Sequence, residues 1–175
     1  RAAQLGMNTA IIERDRLGGV CLNWGCIPTK ALLHNAELYT EAVTHGKEWG
    51  ISFKDVEIDW NKIIGRSRKT TDTLTKGVSF LMKKNKVDHY EGHGKILKST
   101  EGSPVVIEIQ HPEGDYYSGK GSEQTTDLET ITADKVMIST GCAPRELPFA
   151  PRDGKVIISS YDAMTLPKCP EKMVV

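Results

Sequence analysis

Apolar positions recur along this chain with two different periods. In residues 31–45, Leu32, Ala36, Tyr39 and Val43 follow helical spacing, with Gly46 as a plausible C-terminal stop. A longer stripe, Ile63, Ile64, Ser67, Thr71, Leu74, Val78 and Leu81, predicts a second helix over about 60–84, N-capped by Asp59. Its polar face carries Arg66, Arg68, Lys69, Lys83 and Lys84, read as a solvated face rather than a binding patch. Elsewhere the pattern is that of strands. N-T-A-I-I-E at 8–13 is a short apolar strand ending in an acid, and 87–90 is another. Strands are also expected at G-K-I-L-K, V-V-I-E-I, I-T-A-D-K-V-M-I-S and V-I-I-S-S, with 136–139 a buried strand running into T-G-C-A-P. The polar stretch 112–127 reads as a long, mobile hairpin loop in a small antiparallel sheet. Residues 161–166 read as a short helix or turn.

The edges look internal. R-A-A-Q-L-G reads as the last turns of a helix ending at Gly6, and P-E-K-M-V-V as the opening of a buried strand. The chain is therefore expected to be a segment of a longer protein. Helix, glycine, strand and terminal acid form the second half of a β-α-β nucleotide-binding unit, in which the acid hydrogen-bonds ribose hydroxyls. On local grounds Glu13 fits that role and a solvated strand end equally well.

Composition narrows the function classes. Of 175 residues, 38% are hydrophobic, and 23 Lys+Arg balance 23 Asp+Glu. That neutrality gives no support to a nucleic-acid or anionic-membrane partner. No apolar run approaches bilayer-spanning length, and no export signal is visible. Four cysteines, Cys21, Cys26, Cys142 and Cys169, are too few for a disulfide-rich secreted scaffold.

The chemistry concentrates in L-G-G-V-C-L-N-W-G-C-I-P-T-K, residues 17–30. Residues five apart on an ideal helix point about 140° apart. A disulfide needs nearby Cα atoms and converging side chains, so a bridged pair here requires a loop or a distorted first turn. Gly18, Gly19 and Gly25 permit such backbone, and Pro28 suits the first turn of the helix that follows. Cys26 is then near a helix N-terminus, where the dipole favours thiolate, and Lys30 adds positive charge one turn on. A redox-cycling dithiol is the reading favoured by these choices. Two unrelated core cysteines and a metal site remain the local alternatives, although the spacing does not suit zinc.

G-G-V-C-L-N-W-G-C-I-P-T-K closely resembles the active-site signature of the pyridine nucleotide-disulfide oxidoreductases. The resemblance covers the whole chain. A-A-Q-L-G with T-A-I-I-E resembles the tail of the family's FAD-binding β-α-β unit, and E-G-H-G-K-I its flavin-domain glycine turn. V-M-I-S-T-G-C-A-P-R-E-L-P resembles a second FAD contact, and P-E-K-M-V-V the entry to the NAD domain. The implied fold is α/β: a Rossmann-like FAD-binding domain, a three-layer parallel sheet, with a small antiparallel β-sheet. Residues 1–170 would be an incomplete FAD-binding domain and 171–175 the start of the NAD-binding domain.

The resemblance implies roles. Cys21 would be the interchange thiol and Cys26 the flavin-side thiol, giving a thiolate–flavin charge-transfer state on reduction. Lys30 would lie near the flavin ring, Glu13 on the adenosine ribose, and Gly94, Thr140 and Gly141 would be backbone neighbours of FAD. No metal is implied. Leu22 and Ile27, and Thr29 where glutathione-reducing relatives carry Lys, suit the dihydrolipoamide-oxidising branch with NAD⁺. The mercuric-ion-reducing and glutathione-reducing branches are the runners-up, and a non-enzymatic FAD or thiol redox sensor is the reading from another class. The implied partners are the lipoyl domain of a 2-oxoacid dehydrogenase or glycine-cleavage complex, and a second copy in a homodimer. Bacterial cytoplasm and an organelle lumen both fit. The family's acid-base His-Glu dyad has no match at His34, His45, His89, His93 or His111, so the 175 residues alone are expected not to turn over. Trp24 departs from the small or aliphatic residue common at its position and is read as a packing variation. Cys142 and Cys169 receive no role.

Overall fold

The structure, a computed structural model, describes residues 1–112 and 125–175. It is mixed α/β, and the described residues divide into two compact units.

The first unit comprises residues 1–19 and 75–145. It opens with a 3₁₀ turn, Ala3–Leu5, closed by Gly6 in the left-handed region at φ 84°. Gly6 donates its N–H to the Ala3 carbonyl, as a C-terminal glycine should. Strand β1, Thr9–Glu13, pairs in parallel with β2, Val87–Glu91, in the register Thr9↔Val87 to Glu13↔Glu91. Gly92 N–H adds one more bond, to the Glu13 carbonyl at 2.9 Å. Strands β3 (His93–Lys98), β4 (Val105–Pro112) and β5 (Thr125–Ala133) form an antiparallel sheet in that order. Alternation along β4 buries Ile107 and Ile109.

Gly92 is where the two sheets meet. At φ 150°, a Cβ there would stand 2.7 Å from the Gln110 carbonyl oxygen and 2.8 Å from Ile109 Cγ2. Gly94 lies close to β1, its absent Cβ 3.2 Å from Ile12 Cδ1.

The second unit comprises residues 20–74 and 146–175. Helix α1, Gly19–Trp24, is short, and α2, Cys26–Thr40, follows one residue later. The helix over 31–45 thus starts earlier than its apolar stripe. It widens into a π turn, Glu41–His45. Gly46 is buried but keeps right-handed backbone (φ −51°), so it does not act as a left-handed cap. It is small because a Cβ would lie 2.7 Å from the Ala42 carbonyl oxygen and 3.0 Å from Phe53 Cε2.

Helix α3, Trp60–Lys84, begins as predicted and runs on into the first unit. Asp59 accepts from Lys62 N–H at 3.0 Å, and that bond first of all holds its carboxyl below the usual range. The buried centre of the helix stripe is polar. Ser67 and Thr71 are fully buried, each returning its hydroxyl to a carbonyl one turn back, Ile64 and Arg68 respectively. Trp60 Nε1 donates to the Leu166 carbonyl at 2.7 Å, tying the start of α3 to the chain beyond α4, Ser160–Ala163. Ser159 caps α4 reciprocally with Asp162.

Three expected strands are not strands. β5 ends at Ala133, and residues 136–139 have no regular structure and are exposed, Met137 by 90%. Among the described residues no strand pairs with them, and without a ladder the apolar run is not buried. In 153–157 the Asp153 carboxylate accepts the N–H groups of Lys155, Val156 and Ile157. Those donors are then committed to a turn, and Val156 is 85% exposed. Residues 170–175 likewise form no strand, and Val174 is exposed. The expected loop over 112–127 falls mostly on residues 113–124, outside the described residues, while 125–127 belong to β5.

Two predictions follow from this packing. Gly92→Ala should cost about 2–3 kcal/mol in urea unfolding, since a Cβ strikes backbone that cannot yield. Ser159→Ala should cost about 1 kcal/mol at neutral pH through loss of the cap. Desolvation raises the Asp162 carboxyl, but bonds from the Ser159 hydroxyl and N–H and the Arg152 charge outweigh it, leaving it below its ordinary value. A lowered carboxylate contributes stability above its unfolded value that is lost as pH falls through the folded one. The gap between parent and Ser159→Ala should therefore narrow below about pH 4; a gap unchanged to pH 2.5 would show that the cap does not depend on the carboxylate.

Candidate redox site

Cys21 lies inside α1 and Cys26 is the first residue of α2. Were the helix continuous, the rise alone would separate them by about 7.5 Å, beyond disulfide reach. The break at Gly25 removes that obstacle. Gly25 takes φ −143° and ψ −111°, and the Cα atoms of the cysteines come to 4.7 Å. The two are joined by a disulfide, and both residues are exposed. A Cβ on Gly25 would lie 3.0 Å from the Val20 carbonyl oxygen and 3.2 Å from Cys21 Cα. The glycine is thus needed for close approach as well as for its backbone shape.

Cys26 is the first residue of α2, where the opening N–H groups lack intrahelical partners and Gly25 at the N-cap makes no side-chain bond to them. Pro28, buried, contributes no N–H to that set. When the bridge opens, the helix dipole favours thiolate at Cys26. Lys30 is exposed four residues on, one turn along the same helix face. Thr29 directs its hydroxyl to the Met164 sulfur at 4.0 Å, linking α2 to the chain after α4.

Four residues lie between the bridged cysteines, and two of them are held by α3. Asn23 is fully buried, and its carbonyl accepts from Arg68 Nη1 at 2.9 Å. The Arg68 guanidinium carbon stands 5.0 Å from the Trp24 ring centre. Trp24 also meets Tyr161 edge-on, centroids 6.2 Å apart. Arg68 therefore does not belong to a solvated face, as its neighbours Arg66 and Lys69 suggested. Its position gave a signal: four residues after Ile64 and three before Thr71, it flanks the stripe that packs. Trp24 is a packing residue, as read.

The other predicted site residues lie in the first unit. Glu13 ends β1, half-buried, with Oε1 accepting Asp15 N–H at 3.0 Å. No bond from the described residues reaches its Oε2. Thr140 and Gly141 follow the exposed 136–139 segment, and Gly141 is left-handed (φ 74°) with open space around it. Gly94 has a packing reason of its own, the contact with Ile12. Cys142 and Cys169 are free thiols, both exposed.

If the break sets the pair's geometry, Gly25→Ala should slow closure of the reduced Cys21–Cys26 pair at least about tenfold, since the added carbon meets Val20 and Cys21 backbone. Quenched thiol labelling would follow the closure, and unchanged kinetics would remove Gly25 from the account.

The sequence comparisons agree with this geometry. The family model described as pyridine nucleotide-disulphide oxidoreductase matches residues 1–175. A dihydrolipoyl dehydrogenase of Rhizobium etli is 42% identical over 181 residues, covering 100% of this chain and 36% of its own length. A mitochondrial dihydrolipoyl dehydrogenase of Pisum sativum is 39% identical, covering 100% of this chain and 32% of its own. A leghemoglobin reductase of Glycine max is 38% identical over the whole chain and 30% of its own. The chain thus spans about a third of the length of the relatives it matches. The crystal structure of LpdA from Mycobacterium tuberculosis shares the fold, with TM-score 0.77 over 94% of this chain and 33% of that one, at 22% identity. With a family match from end to end and a bridged cysteine pair set across a helix break, the chain belongs to the pyridine nucleotide-disulphide oxidoreductase family.

Proposed function

We propose that the protein containing this chain is a dihydrolipoyl dehydrogenase-type enzyme, oxidising a dihydrolipoamide dithiol through Cys21–Cys26, FAD and NAD⁺. The observation that carries this reading is the exposed Cys21–Cys26 bridge at the N-terminus of α2. Relatives named dihydrolipoyl dehydrogenase, matching from end to end, support the substrate class.

The chemistry of the pair balances on its own atoms. A substrate thiolate attacks Cys21 Sγ, the Cys21–Cys26 bond breaks, and Cys26 leaves as a thiolate beside the N–H groups of α2. The second substrate thiol then displaces Cys21, and the substrate departs as a cyclic disulfide. Two electrons now reside on the cysteine pair. FAD, when bound, would supply the acceptor for those two electrons, with NAD⁺ as the final oxidant. Glu13 would hold the adenosine ribose of FAD: a carboxylate with an open oxygen at the end of a parallel strand suits a pair of hydroxyls. Lys30 would stand near the flavin ring. The Gly141 backbone, left-handed and uncrowded, suits a close neighbour, and Thr140 and Gly94 would line the same cofactor. In this reading residues 1–170 belong to the FAD-binding domain and 171–175 lead to the NAD-binding domain. The partners would be the lipoyl domain of a 2-oxoacid dehydrogenase or glycine-cleavage complex and a second copy in a homodimer.

The test uses the full-length protein. Two-electron reduction should add a long-wavelength charge-transfer band to the flavin spectrum. Cys21→Ser should keep that band and Cys26→Ser should lose it, each lowering dihydrolipoamide turnover at least about a thousandfold. Turnover within tenfold of the parent in either variant would refute the assignment.

A further inference from the structure

Four residues, Leu22 to Gly25, lie inside the ring that the Cys21–Cys26 bridge closes. When the bridge opens, the Gly25 break becomes a hinge, because glycine backbone is free to move once the covalent link is gone. What then keeps the two sulfurs close is whatever holds Asn23 and Trp24. The structure gives that role to Arg68. Its Nη1 donates to the Asn23 carbonyl at 2.9 Å, and its guanidinium lies 5.0 Å from the Trp24 ring centre. Both anchor points fall between the cysteines. Arg68 itself sits near the middle of α3, a 25-residue helix fixed by the Asp59 cap and the Trp60–Leu166 bond. Trp24 is braced from its edge by the buried Tyr161 of the capped helix α4.

We infer that Arg68 is a positioning residue for the redox pair, clamping the inter-cysteine segment so that the dithiol stays poised to close. The inference rests on the redox reading of Cys21–Cys26. A loose segment gives the reduced state conformational entropy that closure must remove, so losing the clamp favours the open dithiol. A planar fork over a ring is geometry that lysine does not reproduce, although lysine keeps the charge. The two effects of Arg68 are therefore separable.

The experiment is a redox titration of the full-length protein against reduced and oxidised dithiothreitol, with Cys21 and Cys26 blocked and counted by mass spectrometry. In opening, the S–S bond breaks and two S–H bonds form. Dithiothreitol supplies the two electrons and two protons and closes to its own cyclic disulfide. Arg68→Lys and Trp24→Leu should each lower the equilibrium constant for bridge closure about tenfold, and the double variant should fall no further than the worse single one. Trp24→Phe, which keeps a ring under the guanidinium, should stay within threefold of the parent. Arg68→Lys at the parent value would overturn the clamp and leave only charge. A Trp24→Phe constant as low as that of Trp24→Leu would overturn it as well, and because phenylalanine retains the ring this variant tests the idea even if Trp24→Leu fails to fold. If the parent pair shows no midpoint at any ratio, it is the redox reading that fails.

Discussion

A disulfide between residues five apart is incompatible with an unbroken helix, and the second unit is built around resolving that conflict. One residue, Gly25, ends α1 and starts α2, and it brings two Cα atoms to 4.7 Å. Everything nearby follows from where that break falls. It puts Cys26 at a helix N-terminus, Pro28 in the first turn and Lys30 one turn on. It also leaves a short peptide between the cysteines that needs support from outside, which α3 and α4 provide through Arg68 and Tyr161.

That support is unusually polar. The fully buried side chains around it include Asn23, Ser67 and Thr71. Hydroxyls that bond back to their own helix satisfy themselves without reaching for a neighbour, so they can pack like small apolar groups. A polar interior of this kind gains less from transfer out of water than an aliphatic one, but it fixes directions. A site whose chemistry depends on the spacing of two sulfurs gains from fixed directions.

What the sequence revealed depended on whether a signal was local. Helix α3 and its Asp59 cap, the short strand ending at Glu13, and β3 and β4 were legible because periodicity and capping act within a few residues. The distorted cysteine segment was legible too, since a bridge at that spacing is incompatible with a plain helix. Residues 136–139 and 156–160 were misread because a strand is defined by its partner, and an apolar run does not name one. Gly46 does stand where the helical run stops, but its backbone stays right-handed, and close approach to Ala42 and Phe53 is what its missing side chain serves. Arg68 was assigned to solvent by its charge, when its position beside Ile64 and Thr71 was the better guide. Of the residues proposed to line the cofactor, Gly94 illustrates the same ambiguity, since a Cβ there would also press on Ile12 at 3.2 Å.

The small size of the bridged ring also separates two processes that disulfides usually join. In the chain-entropy account a link stabilises a fold by the loop it closes, and a loop of about six residues contributes only about 2 kcal/mol. Opening Cys21–Cys26 therefore withdraws less stability from the fold than opening a bridge across a long loop would. The redox cycle proposed for the pair asks correspondingly little of the surrounding architecture. The shortness of the ring thus loosens the tie between the state of the bridge and the stability of the fold.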